Sequence, residues 1–309
     1  MILIGGGEPT LHPGFESFVR FAKDLGLQLA IVSNGSHGER LLAVADALGP
    51  GDWVRLSLDA GSDERFRAMH RPVSRSLTLD AICSWVPRIK ARNPGLRIGY
   101  SYIIVWRGAS RDGVALHENI DEIALATRRA RDAGFDFIAL KPVLERAQGG
   151  AEVMDPAAAQ DELARVVARI RGEVEQAQAL AGAGFSVHVS TNLRVLEAGN
   201  WSELTRQPRT CHVQALRQVL TPLGLYNCPA HRGVERARIA GADAFADAER
   251  AQQTGIAFAG LLDRFDASLE CREVTCLYNG VNWWLEKMIE DPREDVEIPV
   301  GDERLDHFL

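Results

Sequence analysis

Four cysteines in the last third of the chain have the residue type and the clustering to hold a metal. They are Cys211, Cys228, Cys271 and Cys276, while a fifth, Cys83, lies far from them in sequence. Four thiolates from two chain segments can ligate a tetrahedral zinc ion or a [4Fe–4S] cluster. The odd total argues against a disulfide framework, so we expect a reducing, cytoplasmic location. Structural zinc and four unrelated buried thiols are the alternatives.

Three short polar segments could bind a small organic ligand. A glycine turn that ends in Glu8 follows the apolar run 1–4, Ser33 and Asn34 follow the run 27–32, and Ser57 and Asp59 lie at the end of an alternating run. Glycines let backbone amides approach a ligand, and a carboxylate pairs with an ammonium group. Together the segments suit a ligand with an amino-acid head and a sugar. The glycine turn lacks the patterns of a phosphate-binding P-loop and of a dinucleotide site.

Alternating helices and strands must position these segments. Apolar spacing predicts helices over about 15–25, 41–48, 63–92 with an interruption near Pro72, 120–133 and 156–183. It predicts strands over about 27–32, 53–59, 97–106, 135–141 and 185–189. This alternation with short linkers predicts an α/β fold with a parallel sheet, open or closed into a barrel. In such folds ligands collect at the carboxyl ends of the strands, where the polar segments lie. Lys141, at the end of the fifth run, and the nearby Glu145 could face a substrate, but we interpret them as a solvated loop pair.

The pattern changes near Trp201. We predict a hairpin over 214–226 between Cys211 and Cys228, two helices over about 242–252 and 255–266, and a final helix through Trp283 and Met288. We therefore expect two domains, over residues 1–200 and 201–309. The second is a small α+β domain that contains the four cysteines.

Composition excludes several protein classes. Of the 309 residues, 46% are apolar and 25% charged, which is ordinary for globular proteins and unlike collagenous or disordered chains. The net charge of −7 gives no electrostatic footprint for nucleic acid, and the apolar runs are shorter than a membrane span requires. We expect neither a nucleic-acid partner nor a membrane partner.

The segments 6–13, 33–35 and 56–60, which read GGEPTLHP, SNG and LSLDA, resemble motifs of the radical S-adenosylmethionine (SAM) enzymes. The resemblance covers about residues 1–190 and implies a partial (β/α)6 TIM-type barrel that here lacks its first strand. It implies that the segment Gly6, Gly7, Glu8 and Pro9 holds the methionine amino group of SAM. It also implies ribose contacts from Ser57 and Asp59, a neighbouring position for Asn34, and a methionine carboxylate contact from Arg71.

One element of the family pattern is absent from the sequence. The family binds its catalytic [4Fe–4S] cluster through a Cys-x-x-x-Cys-x-x-Cys loop upstream of the glycine motif, and no such spacing occurs here. We expect that the sequence starts at an internal methionine, and that the catalytic cluster requires the restored N-terminal part. A degenerate homologue that has lost the cluster is the alternative. Cys83, on a predicted helix, is interpreted as a small buried hydrophobe.

The C-terminal cysteines resemble those of the SPASM and twitch auxiliary domains, which place cysteines on either side of a hairpin with a glycine in its turn. Cys211, Gly224 and Cys228 fit this pattern, although three residues instead of four follow the glycine before Cys228. The resemblance implies one auxiliary [4Fe–4S] cluster held by all four cysteines. His212 and His231 are weaker candidate ligands.

The resemblance implies an enzyme that cleaves SAM reductively to a 5′-deoxyadenosyl radical, which abstracts hydrogen from a substrate. The expected substrate is a peptide, a sugar or another small molecule, and the expected reductant is a flavodoxin or ferredoxin. The chain as written lacks the ligands of the catalytic cluster and is expected to be inactive. The alternative is a non-catalytic homologue or accessory binding protein with a structural zinc or iron–sulfur site.

Overall fold

A parallel six-stranded sheet organises the larger part of the protein. The computed structural model describes residues 1–5, 7–74, 76–111, 114–146, 150–154 and 162–291. In chain order its strands are β1 (Ile2–Ile4), β2 (Ala30–Ser33), β3 (Trp53–Ser57), β4 (Arg97–Ile104), β5 (Ser110–Arg111), β6 (Val114–Ala115), β7 (Phe137–Pro142), β8 (Glu145–Arg146), β9 (Glu152–Val153), β10 (Ser186–Val189), β11 (Val219–Thr221), β12 (Gly224–Tyr226) and β13 (Arg238–Ala240).

The large sheet has the order β1-β2-β3-β4-β7-β10, and all of its neighbouring strands are parallel. The short strands form two antiparallel pairs, β5 with β6 and β8 with β9. Parallel strands need crossover connections, and helices supply most of them here. The predicted α/β class with a parallel sheet is confirmed. Closure of this sheet into a partial barrel stays a prediction.

Eleven α-helices lie among the described residues. They are α1 (Phe15–Asp24), α2 (Gly38–Val44), α3 (Asp63–His70), α4 (Leu79–Cys83), α5 (Trp85–Arg92), α6 (Ile123–Asp132), α7 (Leu163–Gln178), α8 (Thr191–Ala198), α9 (Ala248–Arg264), α10 (Ala267–Glu270) and α11 (Asn279–Glu290). In α7 the buried residues Val166, Ile170, Val174 and Ala177 recur at helical spacing, as predicted. Most of the predicted start of this helix, residues 155–161, lies outside the described residues. No helix that the structure describes is long and apolar enough to cross a membrane.

The predicted interruption of the helical region 63–92 near Pro72 is confirmed, because Arg71 takes a left-handed conformation at the end of α3 and Pro72 follows it. A second break comes at Ser84, which separates α4 from α5. In the C-terminal part, the two predicted helices are one, since α9 continues through Gly255. A helical glycine costs about 1 kcal/mol relative to alanine, which the packing of α9 offsets.

The two faces of the large sheet differ in chemistry. One face packs against helices, and Val54, Leu56 and Leu58 belong to the main hydrophobic core. The opposite face, which we call the polar face, carries Trp53, Arg55 and Ser57 of β3. Parallel register extends it to Gly99 and Ser101 of β4, Phe137, Ala139 and Lys141 of β7, and Ser186 and His188 of β10.

The C-terminal part has its own sheet and core. β11, β12 and β13 form a three-stranded antiparallel sheet, so the predicted hairpin is present and a third strand, β13, was missed. Gly224, in the hairpin, has φ +141°, and a Cβ there would lie 2.5 Å from the carbonyl oxygen of Ala240. A second hydrophobic core includes Leu225, Leu261 and Phe265. The domain boundary at residue 200 stays a prediction.

Candidate functional site

Glu8 joins two of the predicted ligand-binding segments. Its Oε1 accepts hydrogen bonds from the Thr10 hydroxyl (2.6 Å), the Thr10 amide (3.1 Å) and the Ser33 hydroxyl (2.7 Å). Its Oε2 accepts one from the Asn34 amide at 2.6 Å. The turn after β1 is therefore held against the end of β2. Since β1 and β2 are adjacent and parallel, their carboxyl ends meet at one edge of the sheet, as the sequence predicts.

The other members of this segment lie around Glu8. Pro9 begins a single 3-10 turn, Pro9–Leu11, whose amino end is capped by the Glu8 side chain. Gly7 and Asn34 are exposed at the same sheet edge. Asn34 Oδ1 accepts a hydrogen bond from the Ser36 amide at 2.9 Å. Gly6 lies outside the described residues.

At the end of β3, the chain turns sharply at Asp59. The amides of Leu58 and Asp59 both donate to the Ser101 carbonyl at 3.3 Å, and Asp59 has φ +51°. The buried Asp59 carboxylate accepts a 2.7 Å hydrogen bond from the Ile103 amide and lies 3.5 Å from His70 Nε2. Ser57 is half-buried, and its hydroxyl makes no hydrogen bond with any described residue. Asp59 is thus held by the protein, whereas Ser57 presents a donor that a ligand could use.

Asn119 supports this turn and was missed in the sequence. It is fully buried, its amide nitrogen donates to the carbonyls of Asp59 (2.9 Å) and Ile103 (2.8 Å), and its Oδ1 accepts from the Val105 amide (2.8 Å). The Asn119 side chain therefore supplies hydrogen-bond partners to buried backbone groups at the end of β4 and in the turn at Asp59. The only signal in the sequence is an asparagine just before a helical run, which is too common to single out.

Arg71 lies away from these hydrogen bonds. It is exposed, has φ +46°, and its side chain makes no hydrogen bond or ion pair with a described residue. Asp59 and Arg71 are the two non-glycine residues with positive φ in the part of the chain that the structure describes, and they flank α3. Left-handed backbone at non-glycine residues is uncommon and clusters at functional sites.

The four C-terminal cysteines are half-buried and affect one another electrostatically. Burial raises the pKa of Cys271, and the charges of Cys228, Cys211 and Cys276 raise it further. Burial also raises the pKa of Cys211 and Cys276. The structure therefore brings all four thiols into one region, whereas Cys83 is buried in the main core, as predicted.

Cys228 differs from its three neighbours. Burial acts to raise the pKa of its thiol, but the neighbouring His231 and the charge of Arg217 together outweigh burial and lower it. The Arg217 guanidinium donates to Cys228 Sγ at 3.3 Å and lies over the Tyr278 ring, 4.2 Å from its centroid. These contacts favour a thiolate at this position.

The thiols do not converge on a single point. Among the described residues, no group of three or more histidine, cysteine, aspartate or glutamate side chains is arranged to hold a metal ion. Of the weaker candidate ligands, His212 pairs with Glu286, and the buried His231 ring bonds the Glu270 carbonyl at 3.2 Å. A zinc ion would need its ligands around one centre, whereas the cysteines of a cluster bind separate irons.

The interpretation of Lys141 as part of a solvated loop was wrong. Lys141 lies inside β7 and is half-buried on the polar face of the sheet. Glu145 begins the short strand β8. The strand includes Lys141 and continues for one residue past the predicted end, because Lys141 and Pro142 pair in register with Ile103 and Ile104 of β4.

Comparisons with known proteins give one family match. Residues 1–112 match the family described as the Radical SAM superfamily. An S-adenosylmethionine-dependent nucleotide dehydratase of Selenomonas ruminantium is 27% identical over 129 residues, which are 39% of this chain and 45% of that protein. These matches support the radical SAM family for the N-terminal part of the chain.

The fold of the chain is similar to that of a solved structure. The crystal structure of Streptococcus suis SuiB matches with a TM-score of 0.53 and 12% identity over 80% of this chain and 54% of that chain. The chain thus spans about half the length of each of these two proteins. At this identity the similarity supports the fold alone.

Proposed function

We propose, on the support that these matches give to the radical SAM family, that the protein binds SAM at the carboxyl edge of the large sheet. The observation that carries the proposal is the Glu8 carboxylate, which holds the glycine turn against Ser33 and Asn34. Three segments that are far apart in sequence and suit an amino acid and a sugar therefore meet at one edge.

Glu8 offers one unused acceptor position to an ammonium group. Three donors from Thr10 and Ser33 crowd Oε1, whereas Oε2 accepts only the Asn34 amide among the described residues. A carboxylate oxygen accepts two hydrogen bonds, so Oε2 can take one more, from the methionine ammonium of SAM. A charge-assisted bond of this kind is about twice as strong as a neutral one.

The ribose of SAM would lie at the end of β3. There the Ser57 hydroxyl is the donor and acceptor without a partner among the described residues, and Asp59 positions the turn through Ile103. We assign direct contact to Ser57 and positioning to Asp59. Asn34 and Arg71, both exposed, would face the ligand from the loops after β2 and α3.

Radical chemistry requires a catalytic [4Fe–4S] cluster, and the residues of this chain do not fit one. The sequence contains no three cysteines in the spacing of the family motif. Cleavage of SAM would need those ligands from outside these residues, and we derive no step through that cluster. The substrate classes to test are a peptide, a sugar, a nucleotide or another small molecule, with a flavodoxin or ferredoxin as reductant.

The chemistry of the C-terminal donor set fits an auxiliary [4Fe–4S] cluster. Cys211, Cys228, Cys271 and Cys276 would hold it, with Arg217 donating to the Cys228 sulfur. A cluster with four cysteine ligands supplies electron transfer or structural support. The bound cluster would also hold the hairpin close to α11, because Cys211 lies beside Asn282 of α11. The alternatives are a zinc site and an accessory binding role, and measurement of the bound metal tests them.

The test is calorimetric titration of the full chain with SAM. We expect saturable binding, weakened tenfold or more in Glu8→Gln, because the neutral amide loses charge and gives the Asn34 amide a poorer acceptor. Glu64→Gln is the matched control, since Glu64 is an exposed glutamate in the first turn of α3. Absence of saturable binding, or equal affinity in Glu8→Gln and the wild type, would remove the proposal.

A further inference from the structure

Two cationic side chains lie on the polar face, close to the end of β3. Arg55 of β3 is in register with Gly99 of β4, which is in register with Phe137 of β7. Lys141 lies four residues beyond Phe137 along β7. The strands β3 and β7 are separated by β4, so their axes are about 10 Å apart. Both side chains are long, and the charge of Arg55 lowers the pKa of Lys141.

Neither cation has a full complement of protein partners. Arg55 Nε is buried without a hydrogen-bond partner, and the guanidinium lies over the Trp53 ring, 5.0 Å from its centroid. Lys141 Nζ makes no hydrogen bond or ion pair with any described residue. The carboxylate that acts on both is Asp59, which already accepts from Ile103 and lies beside His70.

Burial makes these charges costly in the free protein. Desolvation lowers the pKa of Lys141 to about 7, helped by the charge of Arg55, and it lowers the pKa of Arg55 to about 10. Buried charges in proteins are normally paired or bind an ion. Two cations with one shared carboxylate therefore leave a positive region that an anion would neutralise.

The space between the two cations is lined by small side chains. Ser57, Ser101 and Ala139 are in register with one another, one level beyond Arg55 and one level before Lys141. The Ser101 hydroxyl makes no hydrogen bond with a described residue. On the next strand, His188 is at the same level, bonded to Ser186 at 2.7 Å. Small side chains and an unused hydroxyl at the level between two cations suit the binding of a ligand group there.

Aromatic side chains close this space toward the amino ends of the strands. The Phe137 ring lies over Gly99, where a Cβ would be 2.1 Å from Cζ of the ring. Trp53 lies under the Arg55 guanidinium. The space therefore opens toward the carboxyl edge of the sheet, where Ser57 and the Glu8 segment lie.

We propose that Arg55 and Lys141 form a subsite that binds a phosphate or carboxylate group of the substrate, with the Ser101 hydroxyl as a further donor. The proposal rests on the proposed function only for the view that the substrate lies beside SAM. Arginine binds such planar or tetrahedral anions through two nitrogens, and lysine adds a point charge. The substrate is accordingly an anionic molecule that enters from the carboxyl edge of the sheet.

The experiment titrates the full chain with inorganic pyrophosphate and, separately, with citrate, at pH 6.5. Wild-type protein should bind at least one probe saturably. Binding of pyrophosphate indicates a phosphate subsite, and binding of citrate indicates a carboxylate subsite. Arg55→Gln and Lys141→Gln should each weaken this binding tenfold or more. Arg165→Gln removes an equivalent charge from the outer surface of α7, where Arg165 is 78% exposed, and should leave binding unchanged.

Thermal melting separates loss of binding from loss of folding. Both variants should melt at or above the wild-type temperature without probe, because each removes a costly buried charge, and the probe should raise the melting temperature of the wild type only. If a glutamine variant does not fold, Lys141→Arg, which keeps the charge, should bind within a few-fold of wild type. Absence of probe binding, or full binding by Arg55→Gln and Lys141→Gln, overturns the subsite. Glu8→Gln should lose SAM but keep the probe, so failure of SAM binding alone leaves the subsite standing.

Discussion

Ser33 Oγ donates a 2.7 Å hydrogen bond to Glu8 Oε1, across 25 residues of sequence and from one strand end to the next. The same hydroxyl oxygen accepts the Gly35 amide at 3.0 Å. Ser33 thus connects the carboxylate of the first motif to the turn of the second. It is 2% exposed, so water cannot replace either bond.

Ser33→Ala should therefore weaken SAM binding several-fold and lower the free energy of unfolding by about 1–2 kcal/mol, since the Gly35 amide loses its acceptor inside the protein. Calorimetry and urea denaturation measure the two effects. Ser17→Ala is the control, because Ser17 makes one exposed bond to the Gly14 carbonyl. Equal behaviour of the two variants would show that the link has no energetic role.

The polar face predicts a pH dependence of stability. Lys141 has a folded pKa of about 7 and an unfolded pKa of about 10.4, so between these values the unfolded chain holds the extra proton. Raising the pH through this window therefore stabilises the fold, by about 2 kcal/mol for a half-buried group. Of the other groups on this face, Arg55 stays charged until about pH 10, and burial keeps the pKa of His188 below its usual value.

Urea denaturation at pH 6.5, 8 and 9.5 measures this dependence. The cysteine thiols also titrate in the alkaline part of the window, so the informative quantity is the difference between wild type and Lys141→Met. The variant should be more stable than wild type at pH 6.5, and the difference should vanish near pH 10. A difference that does not change with pH would show that Lys141 is solvated.

Much of the site could be predicted because it depends on short segments at strand ends. Parallel strands bring their carboxyl ends to one edge, so Glu8, Ser33 and Ser57 could be placed together from their spacing alone. The individual contacts of these residues could not be predicted. Whether the Glu8 carboxylate faces a ligand or Thr10 depends on the geometry of the turn, which the sequence does not specify.

Other features depend on contacts between distant residues. Asn119 supports Asp59 from 60 residues away, and no local pattern distinguishes it from an ordinary helix-start asparagine. Lys141 is at the predicted end of its strand, and it belongs to the polar face because β7 stays in register with β4 through Pro142. The single helix α9 also depends on tertiary packing, which overrides the local preference of Gly255 for a break.

Asn119→Ala should be strongly destabilising. The change removes the acceptor of the Val105 amide and the donor to the carbonyls of Asp59 and Ile103, in a fully buried position. Each unsatisfied buried group costs about 1–3 kcal/mol, so the free energy of unfolding should fall by about 3 kcal/mol or more. Gln176→Ala, on the exposed surface of α7, should change it little. A small loss in Asn119→Ala would mean that water enters and satisfies these groups.

The cysteine region predicts a shared metal site. After anaerobic reconstitution with iron and sulfide, wild-type protein should contain both and show the visible absorbance of an iron–sulfur cluster. Cys211→Ser, Cys228→Ser, Cys271→Ser and Cys276→Ser should each lose most of the iron, because all four thiols act on one another. Cys83→Ser, buried in the main core, is the control and should keep it. Zinc without iron would favour the structural alternative, and no bound metal would contradict both.

Gly99→Ala tests the closed end of the polar face. A Cβ at Gly99 would lie 2.1 Å from Cζ of Phe137, so the ring must move toward its neighbours on this face, Arg97 and His188. Overpacking of this kind costs about 1–3 kcal/mol. The displaced ring would also narrow the space between Arg55 and Lys141, so pyrophosphate or citrate should bind more weakly. Gly95→Ala is the matched control, because a Cβ there meets only Asn93 Oδ1, at 3.5 Å, in an exposed turn. If both variants unfold at the same urea concentration and bind the probe equally, Phe137 does not close the subsite.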